Sequence, residues 1–215
     1  QKSVRNVLIF IAELIIFWFV VRTTKYFFTM DNQIARYLWY SYYIPMLFIP
    51  VAVLQAAFFL GKSEEYRLPK WLKGVYIPTA VLVLLVLSND LHQLVFSFPV
   101  GSAWSDSHYT YGWGYYVVLV WEVVCALTAF VLMIYKCRHS QKKKYLPLLG
   151  IGAAVLYAVL FISGVAWIQE IGGDITAVLC LFFVGILESC VRCGLIQTNT
   201  GYDQLFEVCT LGAQI

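Results

Sequence analysis

The sequence predicts an all-α fold, a polytopic helical bundle in a membrane with six spans in this chain. Hydrophobic residues make up 61% of it and charged residues 13%, whereas a soluble domain carries about 25% charged residues. Six apolar runs approach the roughly 20 residues needed to cross a hydrocarbon core of about 30 Å. They cover 5–21, 37–60, 75–96, 113–135, 145–167 and 171–191. The third observation is charge asymmetry, since short cationic loops stay on the cytoplasmic side of a bilayer.

The loop with Lys136, Arg138, Lys142, Lys143 and Lys144 sets the orientation. With that loop inside, the same face receives Lys2, Arg5, Lys62, Arg67, Lys70, Lys73 and Arg192. The opposite face keeps only Arg22, Lys25 and Arg36. Both termini of the chain are then expected in the cytoplasm. The net charge of +3 reflects orientation and headgroup contact, and implies no nucleic acid. The expected organisation is a transmembrane bundle over 1–196 and a cytoplasmic exit segment over 197–215. Gln1 is not an initiator Met, and both ends read as cut from a longer protein.

The first run is the shortest, and it lacks a cleavage-site pattern, so it reads as a span and not a signal peptide. Glu13 within it has no intrahelical partner and is expected to face the bundle. The second run opens with Tyr37, Trp39, Tyr40, Tyr42 and Tyr43, an aromatic belt of the kind found at membrane interfaces. Pro45 and Pro50 follow and free the carbonyls of Ser41 and Met46, which makes this helix a hinge and a pocket wall.

The third run ends in Ser88, Asn89, Asp90, Leu91, His92 and Gln93. Ser88 and His92 stand four apart on one helical face with Asn89 beside them. Polar groups at membrane depth are costly unless paired or wetted, so each is a candidate functional residue. The connection over 97–112, Gly-rich and aromatic, is suited to a lid. The fourth run brings Glu122 to a similar level. The sixth is entered through Gly172, Gly173 and Asp174, and Asp174 also reads as a cap favoured by the helix dipole. The expected ligand-binding set is Trp39, Tyr43, Asn89, Asp90, His92, Glu122 and Asp174. Being acidic, it favours a cation or a hydrogen-bond donor. A proton is also a candidate signal, since imidazoles titrate near physiological pH.

Cys125 and Cys180 fall mid-membrane, while Cys137, Cys190, Cys193 and Cys209 lie at the cytoplasmic end. An extracellular disulfide framework is excluded by position. Cys190 and Cys193 form a C-x-x-C pair, a pattern of metal binding or redox reporting; apolar filler at a helix end is the favoured reading because no second pair or histidine accompanies it. No metal site, cofactor or catalytic residue is expected.

Three strings carry a resemblance: Arg36-Tyr-Leu-Trp-Tyr-Ser-Tyr-Tyr-Ile-Pro45, Ser88-Asn-Asp-Leu-His-Gln-Leu-Val-Phe96 and Gly173-Asp-Ile-Thr176. With the tail from Glu188 to Phe206, they are similar to the N-terminal seven-helix sensor region of bacterial, mostly clostridial, histidine kinases. The resemblance implies seven helices, with one upstream of Gln1, and a kinase region beyond Ile215. It also implies a bacterial plasma membrane, a kinase partner on the same chain and, by analogy, a homodimer. This chain itself is then not an enzyme.

The leading functional expectation is a sensory input domain that binds a small molecule or cation and signals to a cytoplasmic histidine kinase. A small-solute or proton-coupled transporter is the alternative, favoured by Glu13, Asp90, Glu122 and the proline-broken helix; no inverted repeat accompanies them. A retinal-type light receptor needs a lysine within a span, and none of the six runs has one. A metalloenzyme built on Asp90, His92 and His108 is weak because the two histidines lie at unrelated depths.

Overall fold

Val7, Ile11, Leu14 and Val21 recur at spacings of four, three and seven, which places them on one helical face. In the computed structural model these are buried residues of α1 (Lys2–Phe27). The structure describes residues 2–27, 32–59, 68–99, 109–136, 145–162, 164–172 and 175–192. The chain divides into two compact units, Lys2–Leu132 and Met133–Ile215.

In the first unit α1 packs on α2 (Asn32–Ser41) and α3 (Tyr43–Phe59). The α2–α3 stretch is the central one: 67% of its apolar window is buried, against 22% for α1. The helix breaks at Tyr42, three residues before Pro45, whereas Pro50 lies inside α3. A proline in the first turn loses no hydrogen bond that the helix start would have made. The free carbonyl of Tyr42 instead accepts the Met46 N–H at 3.2 Å.

The third run becomes α4 (Lys70–Gly74), α5 (Tyr76–Leu87) and α6 (Asn89–His92). The expected span to residue 96 is corrected at its end. The helix stops at His92 because Gln93 takes the left-handed conformation, φ 48°, and Phe96–Ser97 then forms β1. This short strand pairs antiparallel with β2 (Thr110–Tyr111), Phe96 opposite Tyr111. The rest of the expected lid, 100–108, lies outside the described residues. Next comes α7 (Trp113–Lys136), whose buried Val118, Cys125 and Ala129 keep a seven-and-four spacing.

Polar rungs join these helices. The Tyr76 hydroxyl donates to Gln55 Oε1, linking α5 to α3. The Trp121 indole N–H donates to Thr79 Oγ1 at 3.1 Å, linking α7 to α5. Interhelical bonds of this kind in a membrane are worth about 0.6 kcal/mol on average and rarely above about 1.7. They set register more than they set stability.

Glu13 does not face the packed stripe. It neighbours Leu14 but projects to the exposed side of α1, because the apolar residues that recur every three or four positions already occupy the contact with α3. Lys25, outside the expected first span, lies in the last turn of α1 and is buried.

The second unit holds α8 (Tyr145–Ile162), α9 (Ala166–Gly172) and α10 (Ile175–Arg192). Gly164, at φ 78°, ends α8: its N–H reaches Phe161 O and the Val165 N–H reaches Leu160 O. That bond pair is a Schellman motif, and its left-handed position suits glycine. The fifth run is thus split, with helix over 145–162 and a separate short helix after it. The α8 and α10 helices pack antiparallel, with Tyr157 near Phe182 and Gly150 near Ile186.

Among the described residues, Arg5–Phe27, Gln33–Phe59, Lys70–Leu87 and Trp113–Tyr135 are long and apolar enough to cross a membrane. Val178–Ser189 is a shorter apolar helix.

Candidate functional site

The α5–α6 corner is built by side chains that bond to their own backbone. Ser88 Oγ donates to Leu84 O at 2.7 Å, as serines do when they bend a helix. His92 Nδ1 accepts the Leu94 N–H at 3.0 Å. That bond requires an unprotonated Nδ1 and places the ring proton on Nε2, which lies 3.1 Å from Leu85 O and 3.2 Å from Ser88 Oγ. His92 therefore closes the end of the helix.

Asn89 is fully buried and uses its whole amide. Oδ1 accepts the N–H groups of Val95 and Phe96, each at 3.0 Å. Nδ2 donates to Phe96 O at 2.8 Å and to the Tyr40 hydroxyl at 3.2 Å. A side chain with two acceptor sites and two donors matches the unpaired backbone of this turn. Leucine or serine there would leave part of it orphaned.

Tyr40, also fully buried, passes the network on. Its hydroxyl accepts from Asn89 and donates to Asp90 Oδ1 at 2.8 Å. The other carboxylate oxygen of Asp90 pairs with Arg36 Nη2 at 2.8 Å. Arg36 and Tyr40 stand four apart on α2, so one helical face presents both to α6. The two charges are about a quarter exposed, 25% for Arg36 and 21% for Asp90. Such a pair sits between the ~0–1 kcal/mol of a surface bridge and the ~3–5 kcal/mol lost when a buried one is broken.

Behind this network the ring of Phe96 is the aromatic centre. Trp39, Tyr40, Tyr43, Tyr109 and Tyr115 surround it with centroids 4.5–6.2 Å away. The start of α7 is tied to the same turn. Gly112 N donates to Val95 O at 2.9 Å and Gly114 N to Leu94 O at 3.0 Å. A Cβ at Gly112 would fall on the Leu94 carbonyl, so only glycine permits this approach.

The structure thus brings together Trp39, Asn89, Asp90 and His92 of the expected set, and adds Arg36, Tyr40, Phe96 and Gly112. Asn89 and His92 are occupied by structural hydrogen bonds, and Asp90 is neutralised by Arg36. Tyr43 and Glu122 are different. Among the described residues neither has a hydrogen-bond or ion-pair partner. Asp174 lies outside the described residues, as does Cys193. Among the described residues no group of three or more His, Cys, Asp and Glu is placed to hold a metal ion. Sequence reasoning passed over Tyr40 and Arg36 as a belt residue and a stray cation. Their i,i+4 spacing opposite an Asn-Asp pair was the available signal.

Apolar helices of spanning length, joined by buried polar rungs and closed at one end by a hydrogen-bonded turn, define a multi-pass helical membrane protein. The family comparison makes this specific: residues 1–191 match the model of the N-terminal 7TM region of histidine kinase. The chain belongs to that family. Neither a curated protein nor a solved structure matches it.

Proposed function

We propose that this chain is the membrane-embedded input domain of a histidine kinase, sensing a small molecule or cation at the α2–α6–α7 end and passing the change to a kinase region in the cytoplasm. Membership of the 7TM histidine kinase family is the observation that carries this reading. The charge asymmetry of the loops supports both chain ends at the cytoplasmic face of a bacterial membrane. It puts the polar turn on the outer side. Histidine kinases commonly work in pairs, and a homodimer fits the reading.

The network offers a two-state element of the kind signalling needs. Asp90 links α2 to α6, Asn89 ties α6 to the turn at Val95 and Phe96, and Gly112 and Gly114 tie that turn to the start of α7. A ligand that alters the ion pair or the aromatic cluster therefore acts on three helices at once. The test is autophosphorylation of the intact kinase in proteoliposomes. Arg36→Gln and Asp90→Asn are expected to shift basal activity severalfold while the protein remains monodisperse in detergent. Wild-type activity in both variants would remove the network from signalling.

A further inference from the structure

His92 is built into the α5–α6 corner as a hydrogen-bond acceptor, and that role ends when the ring takes up a second proton. Its Nδ1 accepts the Leu94 N–H at 3.0 Å, two residues on, as an Asn or Asp side chain does in an Asx turn. The proton on Nε2 is directed at Leu85 O, 3.1 Å away, with Ser88 Oγ at 3.2 Å. A cationic imidazole carries a hydrogen on both nitrogens. Nδ1–H would then face the Leu94 N–H, donor against donor, while the Nε2 bond to Leu85 O survives. Imidazole is the side chain whose charge changes between about pH 5 and 8. The ring is half-buried, between the exposed Leu91 and Gln93.

What this bond holds is a strained turn. Gln93 lies between the two partners at φ 48°, a left-handed conformation that a non-glycine residue keeps only where its surroundings impose it. Leu94 is also where α7 docks. Its carbonyl accepts the Gly114 N–H at 3.0 Å, and the next carbonyl, Val95 O, accepts the Gly112 N–H at 2.9 Å. Loss of the Leu94 N–H bond therefore lets Gln93 relax and shifts the carbonyls on which α7 rests.

The charged groups around the corner leave His92 to itself. On α6 the neighbouring charge is Asp90, and α2 brings Arg36, Tyr37 and Tyr40. Asp90 pairs with Arg36 at 2.8 Å and accepts from Tyr40. The one titratable group of α5, Tyr76, stands at its far end and bonds Gln55. Tyr109 and Tyr111 come from the β2 side, and Tyr115, Tyr116 and Glu122 from α7. Asp106 and His108 lie outside the described residues. Among the described residues His92 hydrogen-bonds only Leu85, Ser88 and Leu94, and it forms no ion pair.

We propose that His92 is an acid-released latch: a proton taken up at Nδ1 breaks the bond to the Leu94 N–H and loosens the docking of α7 on the turn. The inference rests on the sensory reading above and adds the proton as a signal read at that end.

The experiment follows hydrogen exchange of the Leu94, Gly112 and Gly114 amides in the intact protein in nanodiscs, between about pH 8 and 5. Variants are compared at equal pH, so that intrinsic exchange rates cancel. His92→Asn keeps an acceptor for the Leu94 N–H but takes up no proton, whereas His92→Phe keeps a ring without the acceptor. Wild-type protection is expected to match His92→Asn at the alkaline end. At the acid end it should fall at least about tenfold below His92→Asn, toward His92→Phe. If His92→Phe does not fold, the comparison with His92→Asn stands by itself. An equal response in wild type and His92→Asn overturns the inference. So does loss of the response in Glu122→Gln, which would assign the titration to that carboxyl. Acid loss of protection without any change in autophosphorylation relative to His92→Asn would instead refute the sensory reading and leave the latch standing.

Discussion

The hydroxyl of Tyr40 donates to Asp90 Oδ1 at 2.8 Å and accepts from Asn89 Nδ2 at 3.2 Å, so one buried phenol couples α2 to both faces of the α6 turn. Removing it leaves an amide hydrogen and a carboxylate oxygen without their partner. Tyr40→Phe is expected to cost about 1–3 kcal/mol, the penalty for orphaned buried polar groups. Chemical unfolding in detergent micelles measures this, and a neutral result would mean that water replaces the hydroxyl freely.

Asn89 should prove more costly to replace than any other polar residue here. Its side chain satisfies two backbone N–H groups and one carbonyl as well as Tyr40. Asn89→Ala is expected to lose about 4 kcal/mol or more, at roughly 1–3 kcal/mol for each of the orphaned groups. Asn89→Asp retains the two acceptor bonds and should retain part of the stability. An equal loss in both would assign the effect to the amide donors alone.

The Arg36–Asp90 pair is partly exposed, so its strength should depend on salt. A double-mutant cycle with Arg36→Gln and Asp90→Asn is expected to give a coupling of about 1–3 kcal/mol at low ionic strength, and less at 1 M salt. No coupling at low salt would reduce the pair to a surface contact.

Gly112→Ala places a methyl group against the Leu94 carbonyl and breaks the approach of α7 to the turn. Overpacking costs about 1–3 kcal/mol, and the Gly112–Val95 bond is lost as well. A lowered unfolding midpoint should appear here and not in Gly74→Ala, where the added methyl meets nothing within 4 Å.

Trp121→Phe offers a calibration. It deletes the rung to Thr79 while keeping an aromatic ring. The expected loss is below about 2 kcal/mol, smaller than for Asn89→Ala. The reverse order would mean that the mid-span rungs, and not the turn, hold the first unit together.

Runs of apolar residues, proline positions and loop cations are local properties, and each is set by the cost of moving polar groups into hydrocarbon. The helical membrane bundle and the family likeness were therefore legible in the sequence alone. Which polar side chain meets which is a different matter, because it depends on helix rotation and on where a turn ends. The sequence places Asn89, Asp90 and His92 together, but only the folded turn shows that Asn89 and His92 are used up by backbone groups and that Asp90 is matched by Arg36. The aromatic belt conceals Tyr40 until α2 and α6 are packed. Glu13 and Glu122 look alike as lone carboxyls in apolar runs. Packing separates them, one off the buried stripe of α1 and exposed, the other on the α7 face that carries Val118, Cys125 and Ala129. Hydrophobic cost decides what enters the membrane, whereas hydrogen-bond geometry, available only once the helices pack, decides which polar groups remain free to bind.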